Sequence, residues 1–394
     1  LRLTNFPGDW GKKNASGIKF IIMVVELKEV STPSELRKFI HLPSEIHKYH
    51  KNWLPPIYLD EWKFFNPKKN RAFTHSDTVL VLAFLEGRAV GRIMGIINSK
   101  YNEIHQESVG RFEFLECVND PSVSHALISF IENWAREKGM NRIIGPYGFS
   151  DKDPQGLMIE GFDYPPVIAA PCNEPYLVDL VMLEGYQKEV DCLMFKLDLS
   201  KDLPEIYQRV HERCVNNTEY RVLELTTKRA LKPYIRPILH MVNETYSQIY
   251  GFVPMDDLEM DEFARRYLPV INPRFVKIVL HHGEVVAFIV GLPNLTKGIQ
   301  RSRGYLFPFG ILYILWASRV TRQLDLMLGG VKPEYRGKGL EICMGIKLIK
   351  SAVEDNYNAF EVHLVLETNV KMIAEMKKAG AIAHKKFRVF YKNL

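Results

Sequence analysis

The chain repeats itself at long range, and no other feature constrains its fold as much. Thr78 to Ile97 alternates apolar and polar residues, turns at Glu86-Gly87 and alternates again. Phe275 to Leu292 does the same around His282-Gly283. Apolar runs on either side of a glycine-containing turn predict antiparallel hairpins. The two turn glycines, Gly87 and Gly283, stand 196 residues apart. Two closing segments, Gly185 to Leu197 and Gly380 to Lys392, each follow an apolar, helix-like stretch and are offset by 195. Two landmarks at nearly one offset predict a duplicated unit.

Each half carries an amphipathic helix and then a strand between these landmarks. In the first, Ser124 to Lys138 places Leu127, Phe130, Ile131 and Trp134 on one face, and the strand Arg142 to Gly145 follows. In the second, Leu340 to Glu354 places Ile342, Ile346, Ile349 and Val353 at helical spacing before the strand Phe360 to Leu366. Here the offset grows to 217, between Asn141 and Asn358. The second half therefore carries an insertion, Pro293 to Arg322, and the first a compensating one, Pro146 to Pro175. Each half reads strand, helices, hairpin, strand, helix, strand, helix, strand, an α/β order of mixed (α+β) type. The predicted units are 23–200 and 215–394, with the boundary near Asp198 to Asn217.

A length of 394 residues and a hydrophobic content of 46% give each half enough material for a core. Residues 1–22 read as an irregular extension, with ordered structure starting near Met23. The net charge of +6 suits a phosphate-bearing ligand and falls short of a nucleic-acid footprint. The five cysteines are scattered without a C-x-x-C pair, which excludes a disulfide framework, argues against a zinc site and suits a reducing, cytoplasmic setting. No run approaches the ~18 apolar residues of a membrane span, so no stable membrane insertion is expected.

The second half holds the segment that carries chemistry. A strand over Leu324 to Val331 runs into Lys332-Pro333-Glu334-Tyr335-Arg336-Gly337-Lys338-Gly339-Leu340, where a helix opens. Glycines admit close backbone approach, a helix N-terminus offers free N–H groups, and Arg336 and Lys338 add charge. The segment reads as a pyrophosphate cradle or, alternatively, as a charged turn. It is neither a Walker A nor a Rossmann fingerprint.

The run V-x-P-E-Y-R-G-K-G-L, from Val331 to Leu340, resembles the acyl-CoA pyrophosphate loop of the GNAT acyltransferase superfamily, [Q/R]-x-x-G-x-[G/A]. Glu334 departs from the pattern at its first position, and Glu341 stands where a small residue is usual. Glu367-Thr368-Asn369, a helix and Ala379-Gly380-Ala381 resemble the family's close. The likeness covers residues 215–394 well and the first half in layout only. As a whole the chain resembles an uncharacterised bacterial group of tandem GNAT proteins, which keep G-F-S-D and E-G-F-D runs like Gly148 to Asp151 and Glu160 to Asp163. The resemblance implies two GNAT-like domains, each a mixed twisted sheet flanked by helices. It implies acetyl-CoA or another acyl-CoA as co-substrate, held by Val331, Arg336, Gly337, Lys338, Gly339, Leu340 and Asn369, and a small-molecule amine as acceptor. The protein would act as a monomer or homodimer. The first half offers Val118 to Val123 at the equivalent place, with no glycine and with Asp120 to repel phosphate, so no coenzyme is expected there.

Acyl transfer of this kind is attack of an amine on the thioester. It needs backbone donors, a base and sometimes an acid. The resemblance points to Asp325, six residues before Val331, as base, with Glu367 as a second candidate; each reads equally as an ordinary strand residue. The family's common acid, a Tyr seven residues after the Asn, is Met376 here, leaving Tyr305 or Tyr335 as substitutes. His363 either faces the site or belongs to core or surface. Lys385, Lys386 and Arg388 either meet phosphates or form a solvated face. The insertion Gly304 to Trp316 reads as a helix buried between the halves, as the lining of an apolar pocket, or as a weak membrane contact. A non-catalytic acyl-CoA sensor and an aminoacyl-tRNA-dependent transferase are the competing functions.

Overall fold

The computed structural model of the protein describes residues 24–168 and 170–394. The expected start near Met23 and the extension over 1–22 lie outside the described residues.

The first half forms strands β1 (Glu26–Glu29), β2 (Ser76–Leu85), β3 (Arg88–Asn98), β4 (Val109–Cys117), β5 (Arg142–Gly145), β6 (Leu157–Glu160) and β7 (Gln187–Asp198). Its helices are α1 (Pro33–Ile46), α2 (Tyr58–Phe64), α3 (Ser99–His105), α4 (Pro121–Glu137) and α5 (Tyr176–Leu183). Helix α6 (Glu205–Asn216) crosses to the second half, where the expected boundary falls. There follow β8 (Tyr220–Glu224), β9 (Val276–His281), β10 (Glu284–Pro293), β11 (Gln323–Val331), β12 (Ala359–Leu366) and β13 (Ile382–Asn393). The accompanying helices are α7 (Lys228–Leu231), α8 (Ile235–Thr245), α9 (Asp257–Tyr267), α10 (Thr296–Ser302), α11 (Gly310–Val320), α12 (Leu340–Glu354) and α13 (Val370–Lys378). Both predicted hairpins turn at a residue pair with positive φ, Glu86-Gly87 and His282-Gly283.

All the strands join one mixed sheet. Its order is β1-β2-β3-β4-β5-β13-β7-β12-β11-β10-β9-β8, with β6 on β13. The two halves run the same course, strands β2–β5 matching β9–β12, and each half's last strand lies beside the other half's fifth. Thus β13 pairs with β5, β7 pairs with β12, and β7 and β13 pair with each other at the centre. A bidentate ion pair, Arg388 Nε and Nη2 to Asp191 Oδ1 and Oδ2 at 2.7 and 2.9 Å, pins that central seam.

Helices pack against both faces. Helix α4 buries Val123, Leu127, Ile128 and Ile131 against β2–β4. Helix α12 buries Leu340, Cys343, Met344 and Leu348 with Val279, Ala287 and Leu324. At ~25 cal/mol per Å² such apolar faces, rather than helix propensity, hold the layers together. The first-half insertion packs between the halves. Tyr147 Oη donates to the Tyr250 carbonyl at 3.0 Å, and Lys152 Nζ donates to the Val253 carbonyl at 2.7 Å.

The second-half insertion corrects one expectation. It forms the hairpin of α10 and α11, and α11 is not buried between the halves. Only Gly310, Ile314 and Ala317 of α11 are buried. The cause is local: Gly298 of α10 lets Tyr313, Ile314 and Ala317 approach so closely that a Cβ there would lie 2.6 Å from the Tyr313 carbonyl oxygen. One narrow stripe is thereby satisfied, and the remaining apolar side chains face outward.

Candidate functional site

Strands β11 and β12 run parallel and pair from Gln323↔Ala359 to Leu326↔Val362. The ladder ends there although β11 continues to Val331 and β12 to Leu366. Both strands break regularity at that point. On β11, Leu326 opposes Gly291 and Leu328 opposes Val290, leaving Met327 as an extra residue. On β12, the register against β7 shifts between Val362 and Val365, and Leu364 has φ +45°. Bulges of this kind bend a strand and end its pairing. The two strands therefore open a wedge edged by backbone groups that this ladder does not use.

A buried polar cluster sits at the foot of the wedge. Asp325 and Glu361 are ladder partners, 1% and 2% exposed. Asp325 accepts from Gln323 Nε2 and Asn294 Nδ2, each at 2.9 Å. Gln323 Nε2 also donates to Glu361 Oε2. His363, two residues after Glu361 and on its face of the strand, brings Nε2 to 3.9 Å from Asp325 Oδ1. Neither ring nitrogen of His363 has a hydrogen-bond partner among the described residues. From β13, His384 Nε2 lies 3.1 Å and Lys385 Nζ 3.3 Å from Glu361 Oε1.

These surroundings separate the protonation of the three groups. Burial raises Asp325 to about 7, with the Glu361 charge adding to the effect against the hydrogen bonds of Gln323 and Asn294. Burial also acts to raise Glu361, but the contact with His384 and the charge of Lys385 outweigh it and hold Glu361 at about 2. Desolvation lowers His363 to about 4, so its imidazole is neutral at pH 7. The result is a fixed anion at Glu361, a neutral histidine and a carboxyl group that titrates near neutrality. Acid–base work at pH 7 calls for such a set.

The first-half insertion roofs this cluster. The Tyr164 ring meets His384 edge-on at 4.8 Å, and the Pro165 carbonyl accepts from Lys385 Nζ at 2.7 Å. The Pro166 carbonyl accepts from Thr296 Oγ1 at 2.9 Å. A small cleft among Tyr164, Val167, Cys172, Lys385 and Phe387 lies under the roof.

The glycine loop lies past the open end of β11. Gly337 and Gly339 have φ +75° and +78°, and Gly339 is the N-cap of α12 with no side-chain cap bond. Nothing stands within 4 Å of a Cβ at Gly337. Arg336, Gly337 and Lys338 are exposed. No side chain caps the start of α12, and the residues present fit a pyrophosphate. At the equivalent helix of the first half, the Asp120 side chain accepts from Ser122 N at 2.8 Å and closes that N-terminus. The β4–β5 ladder starts at Val109↔Arg142 as β11–β12 starts at Gln323↔Ala359, so Arg111 takes the place of Asp325. Arg111 Nη1 donates to the Gly148 and Phe149 carbonyls at 2.9 and 3.0 Å, so the chain's own loop packs into that wedge.

The other expected site residues fall elsewhere. Val331 ends β11, and its carbonyl accepts from Arg336 Nε at 3.2 Å. Leu340 is core. Asn369 caps α13 by accepting from Met372 N. Glu367 is held by Lys188 Nζ at 2.6 Å and by Asp191 N, bracing β7 against β12. Tyr305 lies half-exposed against Tyr58 and His41. Glu361, His384 and Asn294 were not singled out from the sequence. The E-x-H run of β12 is the signal that pairs Glu361 with His363 on one face.

No family model matches the chain. Over 373 residues it is 30% identical to a bacterial ceramide synthase of Caulobacter vibrioides, a match covering 93% of this chain and 96% of that one. The chain belongs to that family. Protein YghO of Escherichia coli is 27% identical over 377 residues, covering 92% and 93% of the two chains. Among solved structures, a tandem GNAT protein from the clavulanic acid biosynthesis pathway superposes with a TM-score of 0.55 at 12% identity, covering 94% of this chain and 98% of that one. A GCN5-related N-acetyltransferase from Sphaerobacter thermophilus gives 0.53 at 10%, covering 94% and 95%. This ceramide synthase relative therefore has the GNAT fold, as the glycine-loop resemblance implied.

Proposed function

We propose that the protein transfers the acyl group of a long-chain acyl-CoA to the amine of a long-chain amino alcohol, forming an amide. A ceramide is such an amide, and the Caulobacter relative supports that acceptor class. The observation that carries the chemistry is the Asp325–His363 pair at the foot of the β11–β12 wedge. In this reading the units are 23–200 and 215–394, and only the second binds coenzyme. The loop from Arg336 to Leu340 would hold the pyrophosphate, and the free edge of β11 would hold the pantetheine arm. His363 accepts the proton that the attacking ammonium must lose. Asp325, ionised above about pH 7, stabilises the imidazolium so formed. The amine nitrogen bonds to the thioester carbon, the C–S bond breaks, and the thiolate leaves and takes up the second proton that the nitrogen sheds on becoming an amide. Thiolate departs readily near neutral pH, so this scheme assigns no acid.

The test is amide formation from palmitoyl-CoA and sphinganine, read by mass spectrometry, beside a thermal shift with palmitoyl-CoA. Asp325→Asn and His363→Ala should each lower turnover by about a hundredfold or more while keeping the shift. Gly337→Asp should lose the shift. Full activity in His363→Ala refutes the assignment, and binding without transfer in the wild type makes the protein a sensor.

A further inference from the structure

The hairpin of α10 and α11 presents a concentrated apolar surface. Phe307, Phe309, Leu312, Leu315, Trp316 and Val320 are all exposed, Phe307 at 71%. All six lie within fourteen consecutive residues, from 307 to 320. A soluble surface normally scatters such residues singly. Lys297, Arg301, Arg303, Arg319 and Arg322 lie in or next to the segment in sequence, and all five are exposed. Between Glu284 and Asp325 the sequence contains no acidic residue at all. The Arg301 guanidinium lies over the Tyr313 and Trp316 rings at 4.9 and 5.5 Å, which keeps a cation directly beside the aromatic surface.

We propose that this hairpin docks the protein on the surface of an anionic lipid bilayer. The charge pattern selects this occupant. An apolar helix face on a hairpin that carries cations and no acidic residue of its own complements acyl chains below and anionic headgroups around them. Helix α11 has 11 residues, about 16 Å, and lies in the interface. No described helix is long and apolar enough to cross a membrane. The hairpin begins two residues after Asn294, whose side chain holds Asp325. Docking would thus set the polar cluster close to the bilayer. The inference rests on the surface alone and stands whether or not the transfer reaction is as proposed.

The test is flotation of the full chain with vesicles of phosphatidylcholine, alone or with about 30 mol% phosphatidylglycerol. Two double variants accompany it, Phe307→Ser with Leu312→Ser, and Arg319→Glu with Arg322→Glu. Every side chain changed is exposed, and circular dichroism verifies the fold. The wild type should float with the anionic vesicles and far less with the neutral ones. Its binding should weaken as salt is raised toward about 0.5 M. Each double variant should bind roughly tenfold less. Three results would overturn the proposal: no flotation of the wild type, equal flotation of the serine variant, or a dimer in sedimentation that the serine variant alone converts to monomer.

Discussion

The opposed protonation of Asp325 and His363 has a measurable thermodynamic consequence. Burial raises Asp325 from 3.8 to about 7 and lowers His363 from 6.5 to about 4. Between pH 4.5 and 6.5 the folded Asp325 keeps its proton while the unfolded one loses it. Stability therefore falls with rising pH on this account, by about 1.4 kcal/mol per pH unit. Over the same range the folded His363 stays neutral while the unfolded one is protonated. Stability rises with pH on that account, at the same slope. In the wild type the two cancel. Removing one exposes the other, and the difference from wild type isolates the removed group from every other titrating residue. Relative to wild type, Asp325→Asn should gain about 2 to 3 kcal/mol as the pH rises from 4.5 to 6.5. His363→Gln should lose a similar amount. Urea unfolding at half-unit pH steps measures both. Difference curves that stay level, or that share one sign, would show that the two groups are not buried as described, and the acid–base assignment would fall with them.

Three other perturbations test the frame around the site. Leu340→Ala empties a fully buried position at the start of α12 and should cost about 3 kcal/mol in denaturant unfolding. Gly251→Ala sets a Cβ 2.0 Å from Tyr147 Oη at a residue with φ +73°, and should destabilise by about 2 kcal/mol or more, read as a lowered Tm. Expressed separately, 24–200 and 201–394 should each be insoluble, because each carries the strand that completes the other's sheet. Co-expression should restore a soluble complex in a pull-down, and a soluble, monomeric single half would refute the strand exchange.

The sequence revealed repeats and local structure more readily than the convergence of the site. Both hairpins, the helix from Leu340 to Glu354 and the strand before it follow from periodicity and turn chemistry, which act over a few residues. The family resemblance points to Asp325 by its place before the loop, but burial decides its character. A strand alternates faces without saying which one the rest of the chain will cover. His363 and Glu361 become a pair with Asp325 only through the β11–β12 register, which a single sequence does not print. His384, Lys385 and the Tyr164 roof arrive from β13 and the first-half insertion, across most of the chain. Helix α11 shows the converse. Its composition suits a buried helix, a pocket lining or a membrane contact alike, and only the packing of Gly298, Ile314 and Ala317 shows that its apolar majority lies outside.

The exchanged strands explain why a half without an open cradle is retained. The first half has Asp120 closing its helix and Arg111 where the second has Asp325. Yet the second half's β12 is edged by β7, a first-half strand, and its own β13 is flanked by β5 and β6. Lys385, which balances Glu361, is held from the other side by the Pro165 carbonyl of the first half. Thr296, at the root of the apolar hairpin, donates to the neighbouring Pro166 carbonyl. The polar cluster is thus built at the junction of the two copies. Without the first half, Glu361 and Lys385 would lose their roof, and water reaching the cluster would weaken the desolvation that raises Asp325. The second half thus carries the glycine loop, and the first half covers the polar cluster at its foot.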